Sequence, residues 1–149
     1  MTLPEQERER FCQVLHHSRT SLYRLAFSIT RNSSDAQEAV AEAVCRAYER
    51  YPQLREKEKL PRWLLKITAN EARRLCQRRG RTVSWDDLPT EPAIPGRETG
   101  DDTLWQAVQT LPRDQREAVV LFYYEDLPTE EIARIVGTSP GAVRVRLSR

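Results

Sequence analysis

Residues 130–149 read EEIARIVGTSPGAVRVRLSR, and this stretch decides the fold of the chain's C-terminal part. Ile132, Ala133 and Val136 face one way, and Gly137 ends that helix. Glycine at C′ takes the left-handed conformation without a Cβ clash. Thr138 and Ser139 supply cap oxygens, and Pro140 suits the first position of the next helix. Val143 and Leu147, four residues apart, pack back. The pattern predicts a helix-turn-helix, with Ala133 small where the two helices cross. Arg144, Arg146 and Arg149 lie off the apolar face of the second helix. From there they can reach phosphates and the acceptor edge of guanine. Two helices around a glycine turn also occur in helical proteins that bind no DNA.

Working outward, Pro112 is expected at N1 of a helix over 112–124, with Ala118, Val119, Leu121, Phe122 and Tyr123 in a dense apolar run. Leu104, Trp105, Val108 and Leu111 form a short helix before it. Residues 81–101, RTVSWDDLPTEPAIPGRETGD, hold Pro89, Pro92, Pro95, Gly96 and Gly100. Proline fixes φ and removes a donor, so no helix is expected to cross them, and they read as a linker.

The part before the linker reads as helices throughout. A first helix is expected from about Pro4 to His17 and a second from about Ser18 to Thr30. The second carries Leu22, Leu25, Ala26 and Ile29 at core-facing spacing. Asn32-Ser33-Ser34 breaks the pattern. Ser34 and Gln37 make a candidate capping box, with Asp35 at the positive end of the helix dipole. A third helix then runs to about Tyr51 on the stripe Ala36, Val40, Ala43, Val44, Ala47, Tyr48 and Tyr51. Glu38, Glu42, Cys45, Arg46 and Glu49 lie on its far side. A fourth runs from about Pro61 to Arg79, stopped by Gly80. The fold class is therefore all-α: two small helical domains, residues 1–80 and 102–149, joined by the linker 81–101.

Composition fits this and excludes other classes. At 39% hydrophobic and 31% charged residues, no stretch approaches the roughly 20 apolar residues of a membrane span. Met1 to Arg10 is charged and has no apolar signal segment, so the chain reads as cytoplasmic. Residues 1–81 hold 17 basic and 10 acidic residues, against 1 and 5 over 82–101 and 6 and 7 over 102–149. A basic front half fits a polyanion partner, and a solvated surface gives the same count. Cys12, Cys45 and Cys76, widely spaced and odd in number, fit neither a zinc knuckle nor a disulfide framework, and read as buried or semi-buried small hydrophobes. His16 and His17 have no Cys or His at ligand spacing, so neither a metal nor a cofactor is expected. A phosphate-cradling glycine loop and a nucleophile–base motif are both missing from the sequence, which points away from an enzyme.

Three blocks place the terminal motif among the alternatives of repressor, response-regulator output domain and sigma factor. LYRLAFSITRNSSDAQEAVAEAVCRAYERY (22–51), PRWLLKITANEARRLCQRR (61–79) and LPRDQREAVVLFYYEDLPTEEIARIVGTSPGAVRVRLSR (111–149) together resemble the extracytoplasmic-function (ECF) group of bacterial sigma factors. The resemblance implies a σ2 domain that binds the RNA polymerase clamp and opens the −10 element, and a σ4 domain that reads the −35 element. It also implies core polymerase, promoter DNA and a cognate anti-sigma factor as partners.

Residue by residue, DAQEAVAEAVCRAY matches the segment that docks on the β′ coiled coil, and Asp35, Glu38 and Glu42 fall on its acidic face. A carboxylate row can pair with arginines of a partner helix and set register and on-rate. A solvated face with an internal Glu42–Arg46 pair is the plain alternative. The family's usual glutamine is Ala41 here. WLLKITAN matches the helix that reads the melted −10 strand. Trp63, Lys66, Ile67 and Asn70 share a face, and an aromatic, a cation and an amide suit unstacked bases and phosphates. Core packing is the alternative for Trp63 and Ile67. Leu54, in the preceding loop, stands where the family often has an aromatic. Arg73 opens an arginine-rich end suited to duplex phosphates, and Arg74 replaces a frequent aspartate. Ser139, Arg144, Arg146 and Arg149 fall on the −35-reading helix. Before EEIA the usual serine cap is Pro128, so either Thr129 caps, or Leu127 does with Pro128 at N1. From Ser139 to Arg149 is about 16 Å of helix, short for this family, so a truncated C-terminus with weakened −35 binding is expected. A stand-alone helix-turn-helix regulator is the competing function; it leaves DAQEAV and WLLKITAN without a role.

Overall fold

The computed structural model describes residues 4–78 and 102–148. Seven α-helices lie in them: α1 (Glu5–Thr30), α2 (Ser33–Arg50), α3 (Leu60–Arg78), α4 (Asp102–Gln109), α5 (Arg113–Val119), α6 (Thr129–Val136) and α7 (Pro140–Ser148). The first three make one unit and the last four another. The linker expected over 81–101 lies outside the described residues.

Glu5–Thr30 form one helix where the periodicity predicts two. Nothing between His17 and Ser18 denies a backbone donor, and Ser18 and Thr20 sit inside the helix. The helix ends at Arg31, which takes the left-handed conformation (φ 55°) and returns its N–H to the Phe27 carbonyl at 2.8 Å. The next helix starts two residues earlier than the Ser34 capping box predicts. Extended Asn32 caps α2, its Oδ1 accepting from the Asp35 N–H at 2.9 Å.

The α2 face toward α1 and α3 is built of alanines. Ala36, Ala39, Ala43 and Ala47 are all buried, so the helix backbones approach closely. Tyr51 closes that seam, with Phe11 edge-on to it at 5.3 Å. After a short 3-10 turn (Tyr51–Gln53), Lys57 gathers the loop: its Nζ donates to the carbonyls of Tyr51 and Leu54, both at 2.7 Å, and lies over the Tyr51 ring.

In the C-terminal unit two helices lack side-chain caps where proline stands. Pro112 precedes α5 at the N-cap, one position before the expected N1, and its carbonyl accepts from Arg116 N–H at 2.8 Å. Pro128 is likewise the N-cap of α6, so neither Thr129 nor Leu127 caps. Proline's fixed φ holds the extended N-cap conformation without a hydroxyl. α5 continues into a π-helical turn, Val120–Tyr124, which swings Leu121 and Val120 into the core. Gly137 is left-handed (φ 78°) and bonds back to the Ala133 carbonyl at 2.8 Å. Ser139 caps α7, its Oγ accepting from Ala142 N–H at 3.1 Å. Val143 is fully buried and Leu147 half-buried against the same core.

The two units share one hydrophobic core, running from Phe11 to Val143. Six consecutive residues, Leu25 to Thr30, are buried. An α-helix on the edge of a bundle buries one stripe; burial on every side means that a second layer covers α1. That layer is α5 and its π turn, with Phe27 stacked near Trp105 at 6.3 Å. α6 lies against α3 in the same way.

Candidate nucleic-acid interface

The acidic residues of α2 stand on its outer side. Glu38 and Glu42 are exposed and Asp35 is half-buried at the helix start. The expected Glu42–Arg46 pair exists at 3.8 Å, but Arg46 makes a closer bond to Glu71 of α3 at 2.7 Å. Glu71 is buried and also meets Arg74 at 3.4 Å. Arg74 thus has a carboxylate partner and does not stand as free basic charge. Glu38 approaches Arg78 at 3.9 Å.

On α3, Lys66 and Asn70 are exposed and Trp63 is half-buried. Ile67 is buried in the core, which leaves its side chain turned away from any strand in this arrangement. Leu54 is half-buried and packs on the core below the loop. Arg73 does not point into solvent either: its Nη2 donates to Oε1 of Glu117 on α5 at 2.6 Å. Eleven residues earlier on the same helix, Arg62 meets Glu131 of α6 at 3.3 Å.

On α7 the outward face is set by buried Val143 opposite it. At 100° per residue, Gly141, Arg144, Val145 and Ser148 lie about 100–200° from Val143, and all four are exposed. Val145 is a large apolar side chain in that face, 52% exposed. Arg146 is turned aside, half-buried near Asp114 at 3.9 Å. Ser139 is exposed but its hydroxyl is engaged as the cap. Arg149 lies outside the described residues.

The junction between the units holds residues that sequence reasoning passed over. Arg116 is buried; its Nε donates to the Ser28 carbonyl of α1 at 2.5 Å and its Nη1 to Leu111 O at 2.8 Å. Burial, with Arg31 and Arg113 nearby, lowers its pKa to about 10. Arg24 of α1 bonds Glu125 at 3.2 Å and lies 4.9 Å over the Tyr124 ring. Cys76 sits near the Ile29 carbonyl, Sγ to O 3.7 Å, and burial first of all pushes its thiol pKa up. Of the cysteines only Cys76 is half-buried; Cys12 and Cys45 are exposed, contrary to expectation, because both fall on outer helix faces. One signal was available in the sequence: Phe27 is a large apolar residue beside the core stripe.

Among the described residues no three His, Cys, Asp or Glu side chains group as a metal site, and no helix is long and apolar enough to cross a membrane. What the arrangement offers is charged and amide groups on α3, a capped helix-turn-helix, and an acidic outer face on α2.

Comparison with known proteins gives two family matches in chain order. Sigma-70 region 2 matches residues 14–82 and sigma-70 region 4 matches residues 101–149. RNA polymerase sigma factor SigV of Bacillus subtilis is 33% identical over 129 residues, covering 85% of this chain and 78% of SigV. ECF RNA polymerase sigma factor SigE of Mycolicibacterium smegmatis is 33% identical over 138 residues. The chain spans 53% of SigE and 34% of RfaY, a probable sigma factor of Xanthomonas campestris. Among solved structures, sigma factor RpoE of Bartonella quintana, crystallised with the anti-sigma factor NepR, matches with a TM-score of 0.74 and 28% identity. That match covers 93% of this chain and 90% of RpoE, and so takes in both units together.

Proposed function

The chain belongs to the ECF group of sigma-70-type RNA polymerase sigma factors, and we propose that it directs promoter-specific initiation by binding core polymerase and reading −10 and −35 DNA. The observation that carries this is the pair of regions in one chain, region 2 helices followed by a capped helix-turn-helix. A stand-alone regulator needs only the second. Domain limits of 1–80 and 102–149, with a linker over 81–101, fit the two matches.

In this proposal the outer face of α2, with Asp35, Glu38 and Glu42, meets the β′ coiled coil. α3 offers Trp63, Lys66 and Asn70 to the melted −10 strand, with Arg73 on the backbone. α7 enters the −35 major groove on its Gly141, Arg144, Val145 and Ser148 face. Gly141 permits close approach, and Val145 suits a thymine methyl. Ser139, Arg146 and Arg149 flank that face toward phosphates. The protein works where the polymerase is, in the cytoplasm, and performs no catalysis of its own. The RpoE–NepR likeness supports an anti-sigma factor as a further partner.

Run-off transcription with purified core enzyme tests the reading. Promoter-dependent transcripts are expected from a broad promoter library. No transcript, together with no co-elution with core polymerase, contradicts it.

A further inference from the structure

Three arginines meet where the end of α1 touches α5. Arg116 of α5 is only 5% exposed, and its Nε donates to the Ser28 carbonyl of α1 at 2.5 Å. Arg31 follows Ser28 by three residues, at the left-handed end of α1. Arg113 precedes Arg116 by three residues, which makes the two neighbours on one helix face. Arg31 and Arg113 are half-buried, so each keeps part of its surface in solvent.

The charge of this group is not balanced. A buried guanidinium is ordinarily paired with a carboxylate. The bonds of Arg116 run instead to two neutral carbonyls, those of Ser28 and Leu111. Among the described residues neither Arg31 nor Arg113 forms an ion pair, and the buried Nε of Arg31 has no hydrogen-bond partner. Two carboxylates, Asp35 and Glu117, act on Cys76 beside the group. One of them is already taken, since Glu117 is held by Arg73 at 2.6 Å. Burial first, and then the like charges of Arg31 and Arg113, bring the Arg116 pKa down to about 10 against the opposing pull of Glu117 and Cys76.

A phosphate group offers several anionic oxygens to the planar donor forks of arginine. We propose that Arg31, Arg113 and Arg116 form a binding site for a small phosphate-bearing anion, which bridges the end of α1 and the start of α5. The burial of Arg116 sets the size of the ligand. A nucleic-acid backbone brings sugars and bases with each phosphate, whereas a free phosphate or pyrophosphate brings none. The bound anion supplies the negative charge that the fold leaves out, so it stabilises the folded chain by mass action. Nothing in this site depends on promoter recognition, so binding alone tests it.

The test is calorimetric titration of the full chain with inorganic pyrophosphate, at an ionic strength held constant with sodium chloride. Saturable binding is expected, with a denaturation midpoint that rises with pyrophosphate beyond the chloride control. Arg31→Gln with Arg113→Gln is expected to weaken binding about tenfold, since two charge-assisted partners are lost. Without pyrophosphate the same variant should be no less stable than the native chain, because like charges are removed from beside a buried guanidinium. Arginines with a purely structural role would leave the variant weaker. Arg19→Gln, at an exposed arginine elsewhere on α1, should bind as the native chain does. No saturable binding by the native chain overturns the proposal. So does a double variant that binds unchanged, or one that is destabilised or unfolded without pyrophosphate. An equal loss in Arg19→Gln overturns it as well. A double variant that loses single-stranded oligonucleotide in the same proportion assigns the arginines to a nucleic-acid surface and overturns it too.

Discussion

The N-terminal unit is made of three long helices, of 26, 18 and 19 residues, while the C-terminal unit has four helices of 7 to 9 residues. Helices as short as the latter are not stable by propensity and depend on tertiary packing. The first unit has its own centre, with the alanine face of α2 seated between α1 and α3. The second leans outward: Trp105, fully buried, lies beside Phe27 of the first unit. The contacts that join the units mix this aromatic pair with arginine–carboxylate bonds. The junction is thus built with a small apolar anchor and an ionic margin.

Trp105→Ala should break the comparison most strongly. It removes the side chain that lies against Phe27 and edge-on to Tyr124 at 5.6 Å, at a cost of about 3–5 kcal/mol. Chemical denaturation should then show the C-terminal unit melting first, ahead of an unchanged N-terminal transition. A single transition shifted as a whole would mean that the units are not separable.

Asn32→Ala should cost about 1 kcal/mol, and in the N-terminal unit alone, since it removes only the α2 cap. Gly137→Ala should cost about 1 kcal/mol in the other unit. An added Cβ meets nothing within 4 Å, so the cost is that of the left-handed backbone and not of a clash.

A smaller effect comes with pH. Cys76 is an acid whose folded pKa is raised above its ordinary value of about 9, by burial first of all. Below that value both states hold the proton and nothing changes. Above it the unfolded chain releases a proton that the folded chain keeps, so stability falls as pH rises toward the folded pKa. Cys76→Ala should flatten the decline of denaturation midpoints above pH 9. Arg116 works in the opposite sense and higher. As a base lowered to about 10, it costs stability while charged in both states. That cost is relieved only as pH climbs from about 10 to its unfolded value.

The helix-turn-helix was legible because it is local. Gly137, Ser139, Pro140 and Val143 lie within seven residues, and each has a backbone or packing reason to be there. Ala36, Ala43 and Ala47 of the α2 face were legible for the same reason, while Ala39 was missed and Val40, Val44 and Tyr48 are only half-buried. Helix ends were read one or two residues off where proline replaced a hydroxyl cap, at Pro112 and Pro128, and where Asn32 capped in place of Ser34. The break expected near Ser18 failed because weak helix formers do not stop a helix whose neighbours pack it. The joining of the units was not legible. Arg73 and Glu117 are 44 residues apart and Arg116 and Ser28 are 88 apart, and a pair of opposite charges carries no spacing signal. The sequence shows Arg73 as a basic residue suited to DNA; only the fold shows that a carboxylate already occupies it.

The most direct test is the distance between the units. Labels at exposed Cys45 on α2 and at Glu130→Cys on α6, with Cys12 and Cys76 replaced by Ser, allow it to be followed by energy transfer. The account predicts a short distance and high transfer in the free chain, and loss of transfer when core polymerase and promoter DNA are added. High transfer that persists in a transcribing complex would contradict it.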